Sequence, residues 1–214
     1  MKLFRYKNVL HINYVCILLL LIFSIISLCG CSNKQAEKKS EYNTSYLSNN
    51  KTVEYSYEEI PLCDYSTKLI GSDKNRNTNI DLACKEIDGT VINPGETFSF
   101  WKIVKETSSE KGYKEADAFD SHGNTIHALG GGICQISSTI YNAVLKEKSL
   151  EVIERHPHSN YVAYVPKNKD ASVNYGTADF KFKNNSDVPI KIYTRLEDKK
   201  VIVEIYEIQQ NSLD

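Results

Sequence analysis

The chain has 214 residues, enough for one ordinary domain with short appendages, and its 26 Lys and Arg balance 27 Asp and Glu to a formal net charge of −1. Because this balance gives no whole-chain attraction for polyanions, it argues against nucleic acid as a partner. The 14 Tyr against one Trp suit a β-rich domain whose surface contacts polar ligands.

The N-terminus has the layout of an export signal. Basic residues at positions 2, 5 and 7 precede an apolar stretch over 15–28, which is shorter than the ~20 residues that span a bilayer. The following Leu28-Cys29-Gly30-Cys31 resembles a bacterial lipobox. We therefore expect residues 1–30 to be a cleaved lipoprotein signal peptide and Cys31 to be lipidated. An uncleaved signal anchor is the alternative, and it gives the same topology.

A polar segment follows the expected lipidation site. Residues 31–52 hold too few apolar side chains to offset the entropy of ordering them. They predict a flexible tether, which connects the lipid anchor to a domain over 53–214. The membrane is thus an expected partner through the anchor, and the domain is expected at the extracytoplasmic face of the cell membrane.

Three cysteines remain in the domain after that cleavage, namely Cys63, Cys84 and Cys134. Outside the cytoplasm Cys63 and Cys84 can form a disulfide and leave Cys134 as a free thiol. The alternative is that both are small buried hydrophobic side chains.

The first third of the domain contains one helix pattern and one turn signal. Residues 77–87 place apolar side chains on one helix face, and Gly89 follows as a stop, which predicts a short amphipathic helix. A Pro-Gly turn signal then separates residues 91–92 from the alternating aromatics of 97–101, and this arrangement predicts a hairpin. We expect loops and at most one helical turn between residues 102 and 123.

The strongest helix pattern comes directly after three glycines. Apolar residues recur at helical spacing over 133–148, with small residues between them. Four strands are predicted after it, at residues 150–156, 178–183, 188–194 and 201–208. The predicted fold class is therefore α+β, an antiparallel meander packed against a central helix that starts at the Gly-Gly-Gly-Ile-Cys-Gln loop.

That loop places a cysteine where its thiol is activated. Gly130, Gly131 and Gly132 can turn successive N–H groups toward one anion, and the helix start adds the positive end of its dipole. Both effects lower the pKa of the Cys134 thiol. The same N–H groups can hold the oxyanion that forms when a thiolate attacks a carbonyl. The alternative is that the glycines permit close packing and Cys134 fills the inner face of the helix.

A thiolate enzyme also needs an imidazole partner. The domain holds four histidines, at positions 122, 127, 156 and 158. His156 and His158 flank a proline that fixes their directions, so they are the favoured partners of Cys134. His127 lies just before the glycine loop and is a third candidate.

An acidic residue is expected to orient that imidazole, with Asp170 and Asp179 as the candidates. The rival hypothesis for the histidines is zinc, since three His and one Cys can make a tetrahedral site. The spacing from His122 to His127 and the wide gap to His156 match no standard short-range zinc pattern. We therefore expect no metal and no cofactor.

Several motifs, in this order, are similar to those of the VanW family. They are Asn75-Arg76, Asn79-Ile80, the run from Gly89 to Phe100, Gly112-Tyr113, the run from Gly130 to Thr139, the run from Glu154 to Ser159, and Asn174-Tyr175-Gly176. The resemblance spans residues 60–208. Members of that family are exported proteins linked to the cell wall and to glycopeptide resistance. Some are identified as L,D-transpeptidases that use the cysteine of the Gly-Gly-Gly-x-Cys-Gln motif, which corresponds to Cys134.

The resemblance implies a reaction and a partner. Such enzymes attack a tetrapeptide stem of peptidoglycan at its third residue, release D-Ala and join the acyl group to the diaminopimelate side chain of another stem. The motif residues then expected to bind the oxyanion or substrate are Gly130, Gly131, Gly132, Gln135, Ser137, Ser138, Arg155 and Tyr175. Two alternatives remain open, a non-catalytic peptidoglycan-binding accessory lipoprotein and a cysteine peptidoglycan hydrolase.

Overall fold

The computed structural model describes residues 41–48, 51–71, 73–120 and 122–212. The expected signal peptide, Cys31 and residues 32–40 of the expected tether lie outside these ranges. The described elements, in chain order, are β1 (Glu41–Ser48), β2 (Lys51–Lys68), α1 (Lys74–Ile87), β3 (Thr90–Ile92), β4 (Thr97–Ser99), α2 (Phe100–Val104), β5 (Glu115–Phe119), β6 (Thr125–Leu129), α3 (Cys134–Val144), β7 (Leu150–Glu154), β8 (Lys181–Asn184), β9 (Ile190–Glu197) and β10 (Lys200–Ser212).

The strands form a five-stranded sheet in the order β1-β2-β10-β9-β3, a three-stranded sheet in the order β4-β8-β7, and the β5-β6 hairpin. All of these pairings are antiparallel. Alternate residues of β9 and β10 are buried, which is the period of a sheet with one face on the core. The predicted α+β fold class is confirmed.

Helix α3 packs on β2, β10 and β7, and nine of its 11 residues are buried. Ile136, Ile140 and Val144 join the hydrophobic core, and burial of each such side chain contributes about 1.5–3 kcal/mol. The helix ends four residues before the predicted Lys148, because the chain turns there into β7.

Helix α1 begins three residues earlier than its apolar pattern predicts. The Asp73 side chain accepts hydrogen bonds from the backbone N–H groups of Asn75 and Arg76, which caps the helix. The buried face of α1, formed by Ile80, Ala83, Cys84 and Ile87, packs against β9.

The predicted hairpin over residues 91–101 is wrong. Strand β3 pairs with β9 in the larger sheet, whereas β4 pairs with β8 in the smaller one. The Phe98 ring stacks on Phe182 with centroids 5.0 Å apart, and this contact draws β4 away from β3. The Ser99 side chain then accepts from the Lys102 N–H and starts α2, so Phe100 and Trp101 are helical.

Two further segments differ from the sequence-based expectations. Residues 41–48 and 51–52, expected as tether, belong to β1 and β2, since antiparallel pairing satisfies their backbone groups without apolar side chains. Residues 115–119, expected as loop, pair with β6 as strand β5.

No helix in the described ranges is both long and apolar enough to cross a bilayer.

The cysteines of the domain are unpaired. Cys63 on β2, Cys84 in α1 and Cys134 at the start of α3 are all free thiols. The disulfide that an oxidising compartment would permit between Cys63 and Cys84 is not formed. Burial raises the pKa of each of these two thiols to about 12, so both are protonated and unreactive at neutral pH.

Candidate active site

Cys134 is the first residue of α3, and its thiol is half-buried. The backbone N–H of Val173 donates to Sγ of Cys134 at 3.4 Å, and the Val173 carbonyl oxygen lies 3.4 Å from the same sulfur. Val173 belongs to an irregular segment, residues 169–173, that runs alongside the helix. The thiol is thus held between the helix start and this segment.

The glycines at 130–132 are required by their backbone conformation or by close neighbouring atoms. Gly130 has a φ of +80° and Gly132 a φ of +104°, which side-chain-bearing residues rarely adopt. A Cβ on Gly131 would lie 2.3 Å from the carbonyl oxygen of Ala116 in β5. The glycine loop therefore packs directly on the β5-β6 hairpin that precedes it.

The same loop leaves backbone donors beside the thiol. The N–H groups of Ile133, Gln135 and Ile136 each donate to the carbonyl three residues earlier. Across the described ranges, the N–H groups of Gly132 and Cys134 have no such backbone acceptor. The first N–H groups of a helix are the ones that an anion can use, so these two are the candidate oxyanion donors.

His158 is the histidine that interacts with the thiol. Burial raises the pKa of Cys134, but the hydrogen bond and charge of His158 and the N–H of Val173 outweigh it, so the pKa is lowered. Burial lowers the pKa of His158, whereas Cys134 and Asp170 raise it, and the net direction is upward. The two shifts together favour a thiolate–imidazolium pair.

Asp170 orients the imidazole of His158. Its Oδ2 lies 2.8 Å from Nδ1 of His158 and accepts the backbone N–H of His158 at 2.6 Å. A carboxylate at Nδ1 fixes the proton there and directs Nε2 to the other partner. Nε2 also lies 3.5 Å from the Tyr164 hydroxyl. Cys134, His158 and Asp170 thus have the arrangement of a nucleophile, a base and an orienting acid.

Arg155 holds the orienting carboxylate in place. Its Nη2 donates to Oδ1 of Asp170 at 2.8 Å, and its Nε donates to the Asp170 carbonyl oxygen at 2.6 Å. The guanidinium also lies over the ring of Tyr141, 5.6 Å from the centroid. Arg155 was expected to bind substrate, and in the structure its donors are used on Asp170.

The polar side chains of α3 anchor the segment that carries Asp170. The Ser137 hydroxyl donates to the Ala171 carbonyl at 2.7 Å, and the Ala171 N–H donates to the Ser138 hydroxyl at 2.9 Å. Asn142 donates to the Lys169 carbonyl at 2.6 Å. These bonds give an irregular segment the backbone partners that a neighbouring strand would otherwise supply.

The predicted substrate-binding role of three of these helix residues does not fit their burial. Gln135, Ser137 and Ser138 have no exposed surface. Nε2 of Gln135 donates to the Thr67 hydroxyl and to the Lys68 carbonyl, both at 2.9 Å, which joins α3 to β2. We correct the prediction for these three residues to a positioning role, since their polar groups are satisfied within the protein.

The other candidate imidazoles lie away from the thiol. His156 pairs with Glu154, with Nε2 2.9 Å from Oε1. His127 is exposed on β6, where its Nδ1 lies 3.2 Å from Oδ1 of Asp117. In the described part of the chain, the partners found for these two histidines are carboxylates, and His158 is the histidine that shifts the pKa of Cys134.

Asp179, the second candidate for orienting the imidazole, instead accepts hydrogen bonds at the start of helix α2. Oδ2 of Asp179 accepts a hydrogen bond from the Ser99 hydroxyl at 2.6 Å, and Oδ1 accepts one from the Trp101 N–H at 3.2 Å.

Tyr175 is exposed and its ring meets the Trp101 ring edge-on, with centroids 5.4 Å apart. Trp101 in turn lines an open cavity of about 300 Å³.

The zinc hypothesis has no support from the grouping of side chains. No set of three or more His, Cys, Asp or Glu within the described residues is arranged to hold a metal ion. The histidines are instead engaged singly with carboxylates, as His158 is with Asp170 and His156 with Glu154.

Three residues of the site received no role from the sequence. Val173 contacts the thiol through its backbone, which no side-chain pattern signals. Tyr164 lies in the irregular stretch between His158 and Asp170, where nothing periodic marks it. Arg76 belongs to the Asn75-Arg76 motif, and that motif was the signal available for it.

The comparisons with known proteins agree on one family. A family model described as "VanW like protein" matches residues 75–206. The uncharacterized protein YoaR of Bacillus subtilis is 40% identical over 145 residues, which cover 68% of this chain and 47% of that protein. The vancomycin B-type resistance protein VanW of Enterococcus faecalis is 31% identical over 143 residues, or 64% of this chain and 51% of that protein. The chain therefore spans about half the length of these relatives. No solved structure matches it.

Proposed function

The chain belongs to the VanW family, and we propose that it is a cysteine-dependent L,D-transpeptidase that crosslinks peptidoglycan stem peptides. The observation that carries the proposal is the Cys134–His158–Asp170 arrangement, with a lowered pKa at the thiol and a carboxylate 2.8 Å from the far nitrogen of the imidazole. A buried structural cysteine has no need of either feature.

In the first half-reaction, the Cys134 thiolate attacks the carbonyl carbon of the third stem residue and forms a C–S bond. The carbonyl electrons move to oxygen, and the N–H groups of Gly132 and Cys134 are the donors available to that oxyanion. When the carbonyl re-forms, the C–N bond breaks and Nε2 of His158 gives its proton to the leaving amine of D-Ala. The product is a Cys134 thioester.

In the second half-reaction, the side-chain amine of another stem attacks the thioester carbonyl. His158 takes a proton from this amine, and the C–S bond breaks to release the Cys134 thiolate. The enzyme returns to its starting thiolate–imidazolium pair, and a new amide joins the two stems. A hydrolase with the same thiol would differ only in that water replaces the acceptor amine.

The partner and location follow from the same proposal. We infer that the chain is held at the extracytoplasmic face of the cell membrane by a lipid on Cys31, where stem peptides are accessible. The Enterococcus faecalis relative is named for vancomycin resistance. That name supports a role for this chain in the cell wall as well, with or without a contribution to resistance.

The test is capture of the thioester by intact-protein mass spectrometry. The wild-type chain is incubated with a tetrapeptide stem, and we expect an adduct whose mass equals the stem minus D-Ala. The Cys134→Ala variant should form no adduct, whereas Cys63→Ala, which removes a thiol outside the site, should form it normally.

The products distinguish the three candidate functions. A joined pair of stems supports the transpeptidase, and a shortened tripeptide without joined stems would indicate the hydrolase. If the wild-type chain binds stems yet forms neither adduct nor product with any stem tested, the catalytic proposal is wrong and the binding-protein alternative stands.

A further inference from the structure

One nitrogen of a charged side chain near the thiol has no hydrogen-bond partner within the described residues. Nη1 of Arg76 is buried and forms no hydrogen bond within the described residues. Nη2 of the same guanidinium donates to Oε1 of Gln135 at 2.8 Å, and that acceptor is neutral. A buried charged donor without a partner is unfavourable, and in native proteins such a group needs a specific explanation. A ligand that binds later would supply the missing acceptor.

Arg76 lies against the loop that carries the nucleophile. A Cβ on Gly132 would lie 2.5 Å from Cγ of Arg76, so the absence of a side chain at this glycine makes room for the arginine stem. Gln135, which accepts from Nη2, directly follows Cys134 in the chain. The charges of Arg76 and Cys134 act on each other. The Arg76 side chain therefore lies along Gly132, before the thiol in the chain, and binds Gln135, which follows it.

No carboxylate in the described ranges forms a direct ion pair with the positive charge of Arg76. Asp73 acts on it from a distance, but its carboxylate caps α1 through the N–H groups of Asn75 and Arg76. The Tyr164 hydroxyl is near both Arg76 and Cys134, and burial raises its pKa, so it remains neutral. The site thus presents a cation whose Nη1 lacks a hydrogen-bond acceptor.

We propose that Arg76 binds the terminal carboxylate of the donor peptide and so selects peptides that end one residue past the bond that Cys134 attacks. This inference rests on the proposed acyl transfer. The carboxylate of a leaving residue is only about 4 Å from the scissile carbonyl carbon. A guanidinium beside Cys134 can reach it, and Nη1 is the donor available for it.

The test compares two donors that differ only at the proposed contact. A synthetic tetrapeptide stem ending in D-Ala is offered to the full chain as the free acid and as the C-terminal amide, and the rate of thioester formation is measured by mass spectrometry. With the wild-type chain, we expect the acid to react roughly 10- to 100-fold faster than the amide. The acid-to-amide ratio cancels any change in thiol reactivity, because such a change affects both donors equally.

Variants assign that preference to one side chain. Arg76→Met should reduce the acid-to-amide ratio to about 1, and Arg76→Lys should leave an intermediate ratio, since it keeps the charge but loses the fork of donors. Arg195→Met, which removes an exposed arginine from β9, should keep the wild-type ratio.

The outcomes separate this inference from the proposal on which it rests. Equal rates for acid and amide in the wild-type chain, or an unchanged ratio in Arg76→Met, would overturn the role of Arg76 while acyl transfer stands. Failure of both donors to acylate the wild-type chain would overturn both. If Arg76→Met does not fold, the acid-to-amide ratios of the wild-type chain and of Arg76→Lys together decide whether Arg76 binds the carboxylate.

Discussion

His156 and His158 lie two residues apart, and each pairs with a carboxylate, yet their surroundings differ. The His158 and Asp170 side chains are 6% and 11% exposed, and the imidazole interacts with the Cys134 thiol so that each shifts the pKa of the other. The His156 and Glu154 side chains are 43% and 31% exposed, and Glu154 also binds Lys181. Low exposure strengthens the first pair, whereas solvent screens the second. Burial and a third partner therefore distinguish His158 as the candidate base.

The largest expected effect is loss of the base. His158→Ala should reduce thioester formation by up to about 10⁴-fold, because it removes both the proton carrier and the charge that stabilises the thiolate. His156→Ala is the matched control and should stay within about twofold of the wild type. Rates come from single-turnover mass spectrometry with a stem peptide. Equal losses in the two variants would contradict the distinction between the histidines.

The second prediction concerns thiol reactivity and pH. Because the pKa of Cys134 is lowered, its thiolate persists below the pH at which an ordinary thiol is protonated. At pH 7, iodoacetamide should label Cys134 at least about 10³-fold faster than Cys63, whose pKa is about 12. In His158→Ala the opposing effect of burial remains, so the labelling profile of Cys134 should move to higher pH. Peptide mapping of the labelled chain measures both rates.

Asp170→Asn gives a smaller effect, since the amide keeps the shape of the carboxylate but not its charge. We expect a loss of about 10²-fold in thioester formation, because the His158 imidazolium loses its stabilising partner. Asp179→Asn removes the other candidate orienter, whose contacts are to Ser99 and Trp101, and should retain the wild-type rate. The opposite order of the two losses would assign the orienting role to Asp179.

Gly131→Ala tests the glycine loop through stability. The added Cβ would lie 2.3 Å from a backbone carbonyl oxygen, which cannot rotate away, so the free energy of unfolding should fall by about 1–3 kcal/mol. Urea titration followed by circular dichroism measures this change. Gly95→Ala is a useful control, because its Cβ would meet no neighbouring atom and only the positive φ would cost stability. An unchanged unfolding midpoint for Gly131→Ala would contradict the close approach to β5.

The smallest effect is expected at the exposed pair. Hydrogen bonds from Lys181 and His156 lower the pKa of Glu154 from 4.5 to about 2. The carboxylate therefore stabilises the fold above pH 4.5, and this contribution is lost as the pH falls toward 2. Glu154→Gln should cost below about 1 kcal/mol at pH 7, and the difference from the wild type should shrink below pH 4.5. Thermal unfolding of both chains at pH 7 and pH 3 tests whether this stability difference is smaller at the lower pH.

Local sequence patterns predicted much of the fold and, within the candidate site, the position of Cys134. The apolar spacing of α1 and α3 and the strands of the last third needed no tertiary information, and the glycine run marked Cys134 as a candidate nucleophile. The hairpin over 91–101 failed because a contact between Phe98 and Phe182, far apart in sequence, decides the pairing. Polar composition concealed β1, since strand pairing through the backbone leaves no apolar signal.

The choice between His156 and His158 also depended on distant residues. Both flank the same proline, so nothing local separates them. The distinction comes from Asp170, which lies 12 residues after His158 and is placed by Arg155 and by the hydroxyls of α3. Ser137 and Ser138 were assigned to substrate as members of the motif that carries Cys134, whereas helix geometry turns them inward toward Ala171. Sequence adjacency is thus a weaker guide to role than the direction of the side chain.

Helix α3 carries the nucleophile at its first residue and, one turn later, the hydroxyls that hold the segment with Asp170. The thiolate therefore exists only after both segments have docked, and an unfolded chain carries an ordinary, mostly protonated thiol at neutral pH. The reactivity of the Cys134 thiol therefore reports whether the native structure has formed. Opening of the segment that frees the Ala171 amide for hydrogen exchange should therefore slow the alkylation of Cys134.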